Sequence, residues 1–322
     1  RLPGGGGPRL LRGAGRAGGK KPRPPPHRHP GLHRANPHPP AINARRRRLV
    51  LARDRLGIKP LHYWTDGRTL VFGSEIRALL AHPAVPRRLD REALDQYLTF
   101  EYVPAPRTIF EGVRKLPPAH VLVWEGGEVR LQRYWSVAYR PERGRSEAEW
   151  EEGLLAELRA SVRRRLMADV PLGAFLSGGI DSSTLVALMT QESSTPVRTF
   201  SIGFTEESFD ESDHARRVAA ALGTRHHEQI LSAKRCLDLV PRLSQVLDEP
   251  LGDASIVPTW LLSQFARQNV TVALSGEGGD ELLAGYPTYA GAHVAEAMRL
   301  VPRPLLAAGR SLAGRLPVST RN

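Results

Sequence analysis

Cys236 is the only cysteine in the 322 residues, which excludes an intramolecular disulfide and any metal site built from several cysteines. No run of 18 apolar residues occurs and no charged-then-apolar leader is readable, so the expectation is a soluble, cytoplasmic protein without a membrane partner. Acidic residues are missing altogether from residues 1–52, which hold 13 of the 46 Lys and Arg. The formal net charge of +13 therefore belongs to that stretch, and the remainder is neutral with 33 basic and 33 acidic residues. Aromatics make up only 6% of the chain and none interleave with this basic run, so it lacks the stacking platforms of a nucleic-acid groove. It also lacks the apolar surface that would repay ordering. Residues 1–44 are expected to be a disordered basic Gly/Pro/Arg-rich segment, either a solvated tail or the product of a reading-frame error upstream of Ile42, with no nucleic acid as partner.

What is present begins with Leu176-Ser177-Gly178-Gly179-Ile180-Asp181-Ser182-Ser183. A short apolar run ends at Leu176 and an apolar, helix-length segment resumes from Thr184 to Thr190, giving strand, tight loop and helix. The adjacent glycines let the backbone take positive φ and approach a ligand, while Ser177, Ser182 and Ser183 place hydroxyls beside the helix amides, an arrangement suited to pyrophosphate. No lysine follows, so this is not the Gly-x-x-x-x-Gly-Lys-Ser/Thr loop, and Asp181 offers a carboxylate for magnesium. The same residues also read as an ordinary strand-to-helix turn with Asp181 or Ser182 as N-cap.

A second strand of this kind, Val270–Leu274, breaks into Ser275-Gly276-Glu277-Gly278-Gly279-Asp280-Glu281. Between the two loops, strands at Val197–Phe204 and His226–Leu231 alternate with helices at Glu211–Leu222, Leu237–Leu247 and Pro258–Gln268. That alternation predicts an α/β unit with a parallel sheet covered on both faces and ligands at the carboxyl ends of its strands. Both acid-bearing loops then share one edge, where Asp181 and Asp280 could flank a magnesium ion bridging ATP oxygens. Glu277 and Asp280 read alternatively as caps of the helix that starts near Glu281. Ahead of this unit, short strands at Leu49–Asp54, Leu61–Trp64 and Thr69–Phe72, a hairpin turning through Gly126-Gly127 and a long helix at Glu147–Leu166 are predicted.

The loop at Ser177–Ser183 resembles the pyrophosphate loop of N-type ATP pyrophosphatases, most closely that of the glutamine-dependent asparagine synthetases. Arg53–Leu61 with Gly73–Ile76 resembles the back half of the glutaminase domain of that family. The resemblance implies a parallel-sheet, adenine-nucleotide α-hydrolase-like (Rossmann-like) synthetase domain at 146–322. Before it, at 45–140, it implies part of an N-terminal-nucleophile α/β/β/α glutaminase domain and a connector. By the same resemblance Leu176–Ser183 grips the phosphates of ATP, the Ile202 backbone meets adenine and Ser275-Gly276 is the other nucleotide contact. Glu277 is the carboxylate around which β-aspartyl-adenylate forms and ammonia attacks, and Tyr286 is a pocket residue. Aspartate, ATP and ammonia or glutamine are the implied partners, with magnesium as cofactor and a homodimer left open. Departures are equally plain: no early cysteine and no Asn-Gly-Glu string support glutamine hydrolysis. The charged segment that follows Tyr289 in the family has no counterpart in the 42 residues after Asp280, so a fragment truncated at both functional ends is expected. An internal-amide-forming relative, such as a β-lactam synthetase or lasso-peptide cyclase, and a nucleotide-binding remnant are the alternatives. Asp248-Glu249-Pro250 and Asp253-Ala254-Ser255 either line the acyl-acceptor pocket or cap the next helix. His214, His226 and His227 lack a metal-ligand spacing and read as surface or packed histidines.

Overall fold

The computed structural model describes residues 41–205, 210, 212–299, 301–302, 304 and 306. The disorder expected of residues 1–40 lies outside the described residues. At the end of that stretch, Ala41–Asn43 forms β1 rather than free chain, because it pairs antiparallel with β2 (Arg48–Ala52). The chain divides into two compact units, one running up to Glu142 and including Leu239–Ala254, the other formed by Arg143–Asp238 and the residues from Ser255 onward.

The first unit is antiparallel, as alternating short strands with tight turns require. β3 (His62–Thr65), β4 (Leu70–Gly73) and β5 (Arg114–Lys115) form one sheet in the order β4-β3-β5. β1, β2, β6 (His120–Glu125) and β7 (Glu128–Arg133) form the other, in that order. Leu51 and Leu122 of one sheet meet Tyr63 of the other around Leu116, so the two sheets share a core. A second cluster seats α1 (Ile76–Leu80) through Ile76 and Leu79 beside Trp64 and Val113. α2 (Arg91–Phe100) is capped by Asp90, whose side chain accepts from Glu92 N and Ala93 N, and seats Ala93 against Val103 and Ile109. The predicted turn at Gly57 is held by its neighbours. Asp54 accepts from the amides of Leu56, Ile58 and Lys59, while the Arg53 guanidinium donates to the carbonyls of Gly57, Lys59 and Leu116.

His62 on β3 is buried at 8% exposure, with Nδ1 3.1 Å from the Ser74 carbonyl. Burial pushes its pKa down to about 4, the Lys115 charge adding to the shift and Asp248 opposing it. Unfolded His62 binds a proton below about pH 6.5 whereas the folded ring does not until about pH 4, so stability falls as pH drops through that window. The linkage amounts to about 3 kcal/mol across the window. Urea titrations at pH 7 and pH 4.5 should show His62→Gln losing clearly less stability on acidification than the parent chain. Equal losses would place the acid sensitivity elsewhere.

The second unit opens with α3 (Glu147–Leu166), whose start is fixed by a capping box between Ser146 and Glu149. Its apolar stripe is predicted at Trp150, Leu154, Leu158 and Val162, but only the carboxyl-terminal half of it packs. Leu158, Val162 and Leu166 join the core, while Trp150 is 46% exposed, with the Arg145 guanidinium 4.8 Å from its ring centre. β8 (Leu172–Phe175), β9 (Arg198–Phe204), β10 (Arg225–Leu231) and β11 (Val272–Leu274) form one parallel sheet in the order β10-β9-β8-β11. α3, α4 (Ile180–Glu192) and α5 (Ser212–Leu222) contribute to a cluster around Ala174, Val186 and Met189. α8 (Ile256–Ala266) contributes to another with Phe200 and Phe175. Alternate residues of β8 thus enter different clusters, and the sheet is covered on both faces as the strand-helix alternation predicts.

Between β10 and α8 the single helix predicted at 237–247 is broken into α6 (Ala233–Leu239), a 3-10 turn at Val240–Arg242 and α7 (Leu243–Val246). Pro241 lacks the amide that a continuous helix needs. α8 starts two residues earlier than predicted, because Pro258 falls in its first turn, where amides have no intrahelical partner. Asp248 and Glu249 do not cap α8, whose N-cap is Ser255. Their carboxylates are engaged within the first unit by Ile76, Arg77, Ile109 and Lys115. No helix among the described residues is long and apolar enough to cross a membrane.

Candidate functional site

Numbered along the second unit, the strand order is 3-2-1-4, so the direction of winding reverses between β8 and β11. A parallel sheet opens a crevice outside the carboxyl ends of its strands at such a reversal. The register Val272↔Leu172 to Leu274↔Ala174 puts the ends of β8 and β11 side by side. Both glycine loops emerge there.

The first loop is held by its own hydroxyls. Ser182 Oγ accepts from Ser177 N at 3.3 Å, lies 3.0 Å from Ser177 Oγ and donates to Gly179 O at 3.2 Å, while Ser177 Oγ accepts from Gly179 N at 3.3 Å. Gly179, not Asp181 or Ser182, is the N-cap of α4, and it caps without a side-chain hydrogen bond. Both serines instead curl the backbone between β8 and α4, leaving the helix start to backbone amides alone. Ser183 Oγ is buried without a hydrogen-bond partner among the described residues. Gly178 has φ +86°, and a Cβ there would lie 2.6 Å from Ala215 N, so the loop rests directly on the first turn of α5.

The second loop packs on the first. A Cβ on Gly276 would stand 2.8 Å from Ser182 N and 2.9 Å from the Asp181 backbone, and the Asp181 carboxylate lies over Gly279, leaving no room for a side chain there. The glycines are therefore required by the close approach of two backbones. Gly278, at φ +95°, turns the chain into α9 (Gly279–Leu283). Glu277 projects from this turn and is exposed. Asp280 sits in the first turn of α9 with its carboxylate against Gly285.

Ile202 lies two residues past the point where Phe200 pairs with Phe175, level with Ser177 at the same edge of the sheet. Tyr286 is tied to the end of the second loop: its hydroxyl donates to Glu281 Oε1 at 2.9 Å, just before α10 (Pro287–Met298), and its ring lies 6.1 Å from that of Tyr289. That bond to Glu281 raises the Tyr286 pKa above its ordinary value.

Sequence reasoning missed Asp210. It accepts from Phe204 N, Ser212 N and Ser212 Oγ, and the Ser212 amide holds its carboxyl below the usual range. By tying the end of β9 to the start of α5, Asp210 sets the surface on which Gly178 rests. The spacing Asp-x-Ser ahead of a helix was the available signal. His226 and His227 are packed rather than poised: His226 bonds to Thr199 and Ser201, and His227 stacks on Phe200 at 5.1 Å. Burial lowers both pKa values. No group of three or more His, Cys, Asp or Glu among the described residues could hold a metal ion. Asp181 and Asp280 supply two carboxylates from the paired loops, hard oxygens of the kind that suits a magnesium ion.

Two glycine loops packed together at the switch point of a parallel 3-2-1-4 sheet define a nucleotide-binding α/β unit of the adenine-nucleotide α-hydrolase-like kind. Residues 153–320 match the family described as Asparagine synthase, and residues 41–135 match the Glutamine amidotransferase domain. The chain belongs to the asparagine synthase family. It is 37% identical over 246 residues to asparagine synthetase 1 (glutamine-hydrolyzing) of Bacillus subtilis, covering 75% of this chain and 38% of that protein. To asparagine synthetase 3 of the same organism it is 33% identical over 265 residues, covering 76% of this chain and 42% of that protein. The chain spans about half the length, or less, of the curated relatives it matches. Among solved structures, an NH3-dependent NAD synthetase from Campylobacter jejuni aligns at 17% identity over 42% of this chain and 60% of its own, with a TM-score of 0.31.

Proposed function

We propose that this chain carries the ATP-dependent activation step of a glutamine-dependent asparagine synthetase acting in the cytoplasm. An oxygen of the aspartate β-carboxylate attacks the α-phosphorus of ATP, the bond to the β-phosphate breaks, and pyrophosphate leaves. Ammonia, with glutamine as its source, then attacks the acyl carbon, the bond to AMP breaks, and asparagine forms. The observation that carries this reading is the packing of Gly276 and Gly279 onto Asp181 and Ser182, which brings two amide-rich loops to one edge of the sheet.

In this reading the amides of Gly178, Gly179 and the start of α4, with the hydroxyls of Ser177, Ser182 and Ser183, hold the pyrophosphate end of the nucleotide. Leu176, at the start of the first loop, lies on the phosphate side, while the Ile202 backbone and Ser275-Gly276 hold the adenosine end. Glu277, exposed in the turn of the second loop, accepts the proton that ammonia sheds. Tyr286, just past the second loop, is read as a residue of the acceptor pocket. Magnesium, held by Asp181 and Asp280, would neutralise phosphate charge when bound.

The test is a calorimetric titration of ATP with Mg2+, followed by exchange of labelled pyrophosphate into ATP. Binding together with exchange that needs aspartate is the expected result. A chain that fails to bind ATP, or whose exchange ignores aspartate, would defeat the proposal.

A further inference from the structure

The segment Leu239–Ala254 interrupts the second unit in sequence yet belongs to the first in space. Three separate attachments hold it there. Asp248 Oδ2 accepts from Ile76 N at 2.6 Å, completing the amino terminus of α1, whose own N-cap Glu75 makes no side-chain bond. Arg77, on that same helix, reaches back: its Nε donates to Asp248 Oδ1 at 2.6 Å, and its two terminal nitrogens donate to the carbonyls of Gln245 and Val246 at 2.7 and 2.9 Å. Those carbonyls close the last turn of α7 and have no partner within so short a helix. Helices of five and four residues are too short to persist alone, and here each is capped by a side chain the other side provides.

Glu249 makes the second attachment. Its carboxylate pairs with Lys115 and accepts from Ile109 N at 3.2 Å, and both members of the ion pair are largely buried, at 17% and 18% side-chain exposure. Lys115 also donates to Val103 O at 2.5 Å. Gly252 makes the third, its amide donating to Glu101 O at 2.7 Å, where a Cβ would stand 2.7 Å from the Glu101 side chain.

We infer that Leu239–Ala254 is an inserted clasp: a segment of the first unit that interrupts the second unit's sequence, locked in place by Asp248 and Glu249, that makes the folding of the two units interdependent. Its two ends run covalently into α6 and α8, so the first unit cannot open without releasing a loop that the second must then carry unfolded. The carboxylates act as structural latches whose partners lie more than a hundred residues away in sequence. This role is independent of the proposed catalysis, since no residue of the nucleotide loops takes part.

Hydrogen exchange by mass spectrometry on the full chain tests it. In Asp248→Asn/Glu249→Gln, amides of residues 76–80 and 243–254 should exchange at least tenfold faster, with residues 172–192 unchanged. Thermal unfolding, a single transition in the parent chain, should split into two. Asp248→Asn and Arg77→Met should also be non-additive in unfolding midpoint, as residues that share one contact are. If the carboxylate variants fail to fold, Arg77→Lys replaces them. It keeps the charge but cannot serve the carboxylate and two carbonyls together, and it should speed exchange in residues 243–247 alone. Exchange at the parental rate in residues 243–254, loosening that spreads equally to residues 172–192, or two transitions in the parent chain would overturn the clasp.

Discussion

Gly178→Ala should weaken ATP binding about 100-fold or more, while Gly179→Ala, one residue on, should leave the fold intact. Gly178 has φ +86°, and a Cβ there would meet the backbone of His214 and Ala215 at 2.6 Å, atoms that cannot swing aside. A left-handed non-glycine residue costs about 1–3 kcal/mol and overpacking against fixed atoms about the same again. A combined cost of about 3 kcal/mol corresponds to about 100-fold in a dissociation constant. Gly179 has φ −69°, and a Cβ there would meet only Ser177 Oγ at 3.4 Å, an ordinary contact. The measurements are the unfolding temperature of both variants and their ATP titrations. An unaltered ATP affinity in Gly178→Ala would mean that the loop's seat on α5 has no bearing on the nucleotide.

Glu277→Gln should lower the rate of asparagine formation by about 10²–10⁴, the span that a positioned acid or base contributes. Its stability should stay within about 0.5 kcal/mol of the parent, as expected of an exposed substitution. The side chain projects into solvent from a turn whose shape is set by the glycines around it, so structural and chemical roles separate cleanly. Single-turnover amidation with ammonia, read beside a urea titration, distinguishes them. A loss of stability matching the loss of rate would make Glu277 a structural residue.

Much of this site was legible because it is local. Gly178-Gly179 and Gly276–Gly279 each sit where an apolar strand stops, and alternating strands and helices force a parallel sheet that gathers such stops at one edge. The three-dimensional meaning of the individual acids was less legible. Asp181 and Ser182 look like caps in sequence, but hydroxyl bonds within the loop and the contact with Gly279 claim them instead. Asp248 reads in sequence either as lining an acceptor pocket, by the family resemblance, or as a cap of the next helix. Its actual partner is the Ile76 amide, 172 positions earlier, and no periodicity reports a pairing across that distance. The exposed front of α3 escaped for the opposite reason. A stripe spaced by four residues records which side is apolar but not how far along its length a neighbour extends.

Because Leu239–Ala254 belongs to the first unit while the chain on either side of it belongs to the second, no single break in the gene separates the two halves of this chain cleanly. A recombination event near residue 142 would hand the downstream product a stretch whose acidic side chains had lost their basic counterparts, and would leave Lys115 and Arg77 of the upstream product without those two carboxylates. Exchange of either half for that of another chain therefore keeps these contacts only where counterparts of Arg77, Lys115, Asp248 and Glu249 are present together.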